Sequence, residues 1–192
     1  MQNTEPELQI RPPVAREYQE ISELVSEAFG ESGDDVAALV EKLRELWTAE
    51  RGFELVASSL NEKSQPRVLG HIGFTRGYLD APEKLHHVLV LSPLAVRPDT
   101  QGKSIGSALV RRGLELAAQL GFSLVFLEGA PSFYPRLGFV PGAEAGFVKP
   151  SARIPDPAFL VHHLSPEAKS LSGALIYPEV FWETDSVGLR DV

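Results

Sequence analysis

Apolar residues along this chain recur at two spacings, and each stretch of regular spacing predicts an element. Leu8-Gln9-Ile10-Arg11 alternates and stops at Pro12-Pro13, which predicts a short first strand. From Val14 the spacing turns helical: Tyr18, Ile21, Val25, Ala28 and Phe29 share a face, and Gly30 marks the C-terminal stop. Ser32-Gly33-Asp34-Asp35 breaks the chain and offers an N-cap. Val36, Leu39, Val40, Leu43 and Trp47 then line a second helix, whose Glu41-Lys42 and Arg44-Glu45 form the solvated face. Phe53 to Leu60 reads as a strand, Asn61 to Pro66 as a polar hairpin connection, and Val68 to Phe74 as the returning strand. Gly77 to Lys84 reads as a loop.

The pattern is strongest between Val88 and Phe139. Val88-Leu89-Val90-Leu91-Ser92-Pro93-Leu94-Ala95-Val96 is an aliphatic run that predicts a buried strand. Pro93 cannot donate a ladder hydrogen bond, so a bulge or bend is expected within it. At about 100° per residue, Ile105, Leu109, Val110, Gly113, Leu116, Ala117 and Leu120 fall on one half of a helical wheel. Ser107, Arg111, Arg112, Glu115 and Gln119 fall on the other half, so this segment is an amphipathic helix. Ser123 to Leu127 reads as the next strand. Beyond Gly142 the chain is rich in proline and polar residues. There, Pro157 to Leu164 and Ala174 to Pro178 read as a strand and a final strand closing the sheet.

The central unit is therefore strand, polar glycine-containing loop, helix. A helix N-terminus carries free N–H groups and roughly half a positive charge, an arrangement suited to phosphate. The loop is Arg97-Pro98-Asp99-Thr100-Gln101-Gly102-Lys103-Ser104-Ile105-Gly106. A P-loop requires glycine where Arg97 stands, and a dinucleotide fingerprint requires glycine where Ser104 stands, so neither motif matches.

Gln101-x-x-Ser104-x-Gly106, opening the helix after Leu94-Ala95-Val96, resembles the pyrophosphate motif of the GCN5-related N-acetyltransferases (GNAT). Phe133-Tyr134-Pro135-Arg136-Leu137-Gly138-Phe139 resembles the Phe-Tyr-x-x-Leu-Gly-Phe segment of the same family. The resemblance spans about Leu8 to Glu183. It is strongest to the small bacterial YhbS-type acetyltransferases, on Leu127 to Pro131 and the tail from Gly173 to Phe181. It implies an α/β (α+β) GNAT acyl-CoA N-acyltransferase fold: a twisted, mixed, mostly antiparallel sheet flanked by helices, with splayed central strands. A single N-acetyltransferase domain over residues 1–192 is expected, with its core at about 8–183.

The resemblance also implies roles. Leu94, Ala95 and Val96 would offer main-chain groups to pantetheine, with one N–H polarising the thioester carbonyl. Gln101, Gly102, Lys103, Ser104, Ile105 and Gly106 would hold the pyrophosphate of acetyl-CoA. Tyr134 would act as general acid to the CoA thiolate, unless it packs beneath the sheet. Ser104 departs from the family's glycine. A side chain there either restricts backbone approach to phosphate or adds a donor or helix cap, and weaker or altered cofactor binding is expected. The reaction implied is direct attack by a primary amine on acetyl-CoA in a ternary complex. A catalytically weak acyl-CoA-binding sensor or partner module is the rival from another class, motivated by Ser104 and an unplaced base.

Composition narrows these readings. The 192 residues include 18 Lys and Arg against 26 Asp and Glu, a formal net charge of −8, which disfavours nucleic-acid binding. With no cysteine, a thiol nucleophile, a thiolate metal site and a covalent acyl-cysteine are excluded. The N-terminal residues are acidic without an apolar region, and no apolar segment reaches ~20 residues, so a cytoplasmic protein without a membrane span is expected. Dimers are common among relatives, so a homodimer is among the expectations.

Glu128, at the end of the strand after the helix, is the first candidate for the general base. Glu27 and Glu31 are weaker candidates, and solvent exposure is the plain reading of all three. His71 either lines the acceptor site or packs in the sheet. His86-His87 and His162-His163 are neighbours on strands and point to opposite faces, so no metal is expected.

Overall fold

The computed structural model describes residues 8–48, 50–60 and 65–188. Along the chain come β1 (Gln9–Arg11), α1 (Tyr18–Phe29), α2 (Gly33–Leu46), β2 (Gly52–Leu60), β3 (Pro66–Asp80) and β4 (Leu85–Val96). They are followed by α3 (Ile105–Gln119), β5 (Leu124–Glu128), β6 (Val140–Pro141), β7 (Phe147–Val148), β8 (Phe159–His163), β9 (Gly173–Ile176) and α4 (Glu179–Glu183). Among the described residues, nine strands form one mixed sheet in the order β1-β2-β3-β4-β5-β8-β6, with β9 pairing β3 and β7 off this path. Along the main path every neighbour is antiparallel except β4 and β5.

Alternation along the strands sends side chains to two cores. Leu55, Ile72, Phe74, Leu89, Leu91, Val125 and Leu127 face α3 and pack against its Ile105, Leu109, Val110 and Ala117. Val56, Val68 and Ala95 face α1 and α2, and Val88, Val90, Leu124 and Phe126 continue that face toward α4. The predicted bulge lies where the register slips between Ile72 and Phe74, opposite Ser92-Pro93. Its extra residue reverses the alternation, so Leu94 and Val96 stay on the α3 side while Ala95 faces α1.

Three expectations are corrected. The segment read as a loop from Gly77 is the continuation of β3, with Gly77↔Val88, Tyr78↔His87 and Leu79↔His86 in register. Gly77 there is a close approach rather than a break, since a Cβ would stand 2.8 Å from the Ile176 carbonyl oxygen. β9 does not extend the sheet beyond β8; it pairs with Tyr78–Asp80 of β3. Ser32 precedes α2 without a side-chain cap, and Asp34 is instead held by the Ser26 hydroxyl at 2.7 Å. β6, β7 and α4 carry no spacing signal of their own, and most of the connection expected at 61–66 lies outside the described residues.

Helix α2 is tied to the sheet by a buried polar network. Contrary to the expected solvated face, Arg44 turns to the sheet: its guanidinium donates to both Glu54 carboxylate oxygens, at 2.9 and 3.1 Å, and His71 Nε2 lies 2.9 Å from Glu54 Oε2. Burial pushes the Glu54 carboxyl upward, but hydrogen bonds from His71 and Arg44 outweigh it and hold the group below its ordinary value. His71 is fully buried beside Trp47, and burial pushes its pKa down, so it packs in the sheet as a neutral ring. Removing Glu54 would leave the half-buried Arg44 guanidinium and the buried His71 ring without their shared partner. Glu54→Ala is therefore expected to cost about 3 kcal/mol, read as a drop in Tm of roughly 6–12 °C by thermal denaturation; a negligible drop would show that the network contributes nothing.

Candidate active site

β4 and β5 pair at only two positions, Leu89↔Val125 and Val90↔Phe126, and then part. A cleft of about 1190 Å³ opens between them. One wall is β4 from Val90 to Leu94 with Val96, continuing into Gln101, Gly102 and Ser104 and the first turn of α3. The opposite wall is Glu128, Gly129 and Ala130 at the end of β5, with Phe133, Tyr134 and Arg136 beyond it. On the α1–α2 side the mouth is bounded by Phe29, Asp35, Val36 and Leu39, and by Tyr177, Phe181 and residues 184–186 and 188 of the C-terminal segment.

The loop at the start of α3 is anchored from behind. Arg97 donates to the Val68 carbonyl at 2.7 Å and pairs with Glu20 at 3.2 Å and Glu27 at 3.1 Å. The Gln101 side chain donates to the Val96 carbonyl at 3.2 Å, so its amide holds the loop onto the end of β4. Ala108 N–H donates to the Ser104 carbonyl, which leaves the N–H groups of Ile105, Gly106 and Ser107 without intrahelical acceptors. A Cβ on Gly106 would lie 3.5–3.8 Å from Phe133, Val96 and Leu94, all of which line the cleft, so any larger side chain would project into it. Ser104 is left-handed, with φ of 63°, and makes no side-chain cap.

Most of the expected residues therefore meet at one place, and some do not. Ala95 and Lys103 do not line the cleft: Ala95 is buried on the α1 side, and Lys103 is exposed. Glu27 is engaged by Arg97 away from the cleft, and Glu31 is exposed outside it, so neither is placed to serve as a base there.

Tyr134 and Glu128 reach the cleft from opposite faces of the sheet. Tyr134 belongs to the α3-side core, edge-on to Phe133 and Phe139. Its ring lies against Gly129, where a Cβ would come within 2.4 Å of Cε2, so the residue after Glu128 must be small for the ring to seat. Burial pushes the phenol up to about 12, which keeps it protonated at any working pH. The Glu128 carboxylate accepts the Gly188 N–H at 3.0 Å and has the Tyr177 hydroxyl as a hydrogen-bonding neighbour. Burial raises its pKa, against the lowering effects of Tyr177, Gly188 and Arg153. Tyr177 and Gly188 were not singled out from sequence, because both belong to the site only through contacts across the sheet.

The family model of the acetyltransferase (GNAT) family matches residues 18–139. The chain belongs to this family. It is 38% identical over 136 residues to the uncharacterized N-acetyltransferase YjhQ of Escherichia coli (strain K12), covering 68% of this chain and 69% of that protein. Its fold is similar to that of the GNAT family N-acetyltransferase YhbS from Escherichia coli, solved in complex with CoA. The TM-score there is 0.81, with 26% identity and 98% of each chain covered. A GNAT family acetyltransferase from Brucella melitensis, solved in complex with acetyl-CoA, is similar with a TM-score of 0.67 and 26% identity, covering 92% of this chain and 99% of that one.

Among the described residues, no group of three or more His, Asp or Glu side chains is placed to hold a metal ion, and no helix is long and apolar enough to cross a membrane. His87 packs on Tyr78, His162 on Phe139 and His163 on Phe147. For this GNAT chain, the left-handed Ser104 carries a conformational cost of about 1–2 kcal/mol, partly offset by the entropy a glycine would lose. Ser104→Gly is expected to stabilise the protein by about 0.5–1 kcal/mol in chemical denaturation; a loss of stability would show that the serine makes a compensating contact.

Proposed function

We propose that this chain transfers an acetyl group from acetyl-CoA to a primary amine, by direct attack within a ternary complex. The observation that carries this reading is the cleft passing through the sheet: it has an open helix N-terminus and Tyr134 toward one side and Glu128 toward the other. The two similar structures solved with CoA and acetyl-CoA support the same cosubstrate here. Acetyl-CoA supplies an acetyl group already activated as a thioester.

The chain's own residues do the rest. The N–H groups at the start of α3, with the backbone of Gly102 to Gly106, suit a pyrophosphate. The β4 main chain near Leu94 and Val96, which β5 does not pair, offers strand-like contacts to pantetheine and one N–H for the thioester carbonyl. Donors of that kind are worth ~10²–10³ in rate. Glu128 takes a proton from the incoming ammonium, and its raised pKa makes it a stronger base than an ordinary carboxylate. Asp35, at the same mouth, favours an acceptor that arrives as a cation.

Tyr134 stands at the leaving sulfur. A free thiol titrates near ~8.5, so a phenol at about 12 stabilises the departing thiolate chiefly by donating a hydrogen bond. The activity belongs in the cytoplasm, where acetyl-CoA is available.

Calorimetric titration with acetyl-CoA tests the cosubstrate. Micromolar binding is expected for the wild type and none for Gly106→Glu, whose side chain would fill the slot; absence of wild-type binding at millimolar ligand would end the acyl-CoA reading. Release of CoA thiol across a panel of primary amines tests transfer, and binding without release would favour the sensor module. Tyr134→Phe is expected to lower kcat by ~10²-fold with acetyl-CoA affinity nearly unchanged, and full turnover across the pH range would remove Tyr134 from the mechanism.

A further inference from the structure

The family model ends at residue 139, yet part of the cleft is built by chain beyond it. That later segment contacts the carboxylate assigned above as the base. We infer that Tyr177 and Gly188 form a cradle that positions Glu128 for proton abstraction, so that the segment after β9 is part of the catalytic apparatus. This rests on the reading of Glu128 as the base.

The cradle is geometrically specific. Gly188 places its N–H 3.0 Å from Glu128 Oε2 across a separation of 60 residues. It does so with φ of 76°, a left-handed conformation that L side chains rarely adopt. It also lies directly on Arg153, where a Cβ would come within 2.5 Å of the Arg153 Cβ and 3.0 Å of its carbonyl carbon. Only glycine delivers that donor from that position. Tyr177 follows β9, which pairs with the far edge of β3, so its ring crosses beneath the sheet to reach the cleft. It is almost fully buried, packs against Phe181, and faces the same carboxylate.

Each cradle contact acts on Glu128 in a known direction. Donors to a carboxylate favour its charged form and lower its pKa, whereas burial raises it. Tyr177 after β9 and Arg153 beneath Gly188 act on Glu128 directly, and Asp185 in the C-terminal segment, Asp35 on α2, and Tyr134 and Arg136 after β5 line the same cleft. Burial and the neighbouring Glu128 charge together push the Tyr177 phenol well above its ordinary value, so it remains a donor. Losing either donor therefore raises the Glu128 pKa further. Less of the base is then ionised at a given pH, and the loss is greatest on the acidic side.

The test needs no known acceptor. The glutamate carboxyl carbons of the full-length protein, labelled with carbon-13, are titrated by NMR, and the Glu128 signal is identified by its absence in Glu128→Gln. Tyr177→Phe and Gly188→Ala are each expected to move that titration upward by about one unit, while acetyl-CoA affinity in Tyr177→Phe stays within about twofold. Tyr177→Phe guards against misfolding, because it removes one hydroxyl and leaves the packed ring. An unmoved Glu128 titration in Tyr177→Phe would overturn the cradle. Full turnover in Glu128→Gln with an amine that serves the wild type would instead remove Glu128 as the base, a failure of the underlying reading distinct from failure of the contacts.

Discussion

Everything at the site depends on the parting of β4 from β5 after two paired positions. Parallel neighbours that stayed in register would satisfy each other's main chain and leave neither a slot nor free donors. Here the bulge at Ser92-Pro93 falls just beyond where the strands part, and β5 stops at Glu128 while β4 continues to Val96. The strand edge thus exposed is the surface on which an extended thioester cosubstrate can be held. The bulge does a second thing: by reversing the alternation it keeps Leu94 and Val96 facing α3 and turns Ala95 toward α1.

The gap is kept open by anchoring its walls separately. Arg97 ties the loop to Glu20 and Glu27 on α1 and to the β3 backbone. Arg44 ties α2, whose first turns border the mouth, to Glu54 on β2, and Glu54 is shared with His71 on β3. On the other face, α3 packs close to the sheet because Gly113 lies against Phe74, where a Cβ would come within 2.3 Å of the ring. Of these anchors the Arg44–Glu54 pair is the most buried; such pairs are poor sources of net stability but exact a large penalty when one partner is lost, which suits them to holding elements in one arrangement.

The electrostatic layout follows from the same geometry. The positive end of the α3 dipole lies at one end of the cleft, and carboxylates lie at the other mouth. Burial raises the pKa of both Tyr134 and Glu128, with different consequences. A phenol pushed up stays a donor; a carboxyl pushed up becomes a stronger base, provided that other donors keep it ionised. Tyr177, Gly188 and Arg153 supply that counterweight from the part of the chain beyond the family match.

The elements whose signals are local are legible in the amino-acid sequence. The spacing of α1, α2 and α3, the aliphatic run of β4, the bulge at Pro93, the loop from Gln101 to Gly106 and the Phe133-Tyr134 segment each encode their structure within a few residues. Gly77 misled because its meaning is a neighbour's carbonyl rather than a turn, and β6, β7 and α4 escaped because they are held by contacts rather than by spacing. Glu128 stood out only as a strand-end carboxylate, with Glu27 and Glu31 as rivals, until the fold paired Glu27 with Arg97, left Glu31 exposed and set Glu128, half-buried, in the cleft wall. The sequence by itself therefore determined the family, the helix that opens after the loop from Gln101 to Gly106, and the tyrosine segment, because those are written in short-range pattern. Only the tertiary structure decided which carboxylate faces the cleft and what holds it there, because Gly188, Tyr177 and Arg153 meet Glu128 through contacts between residues far apart in the chain.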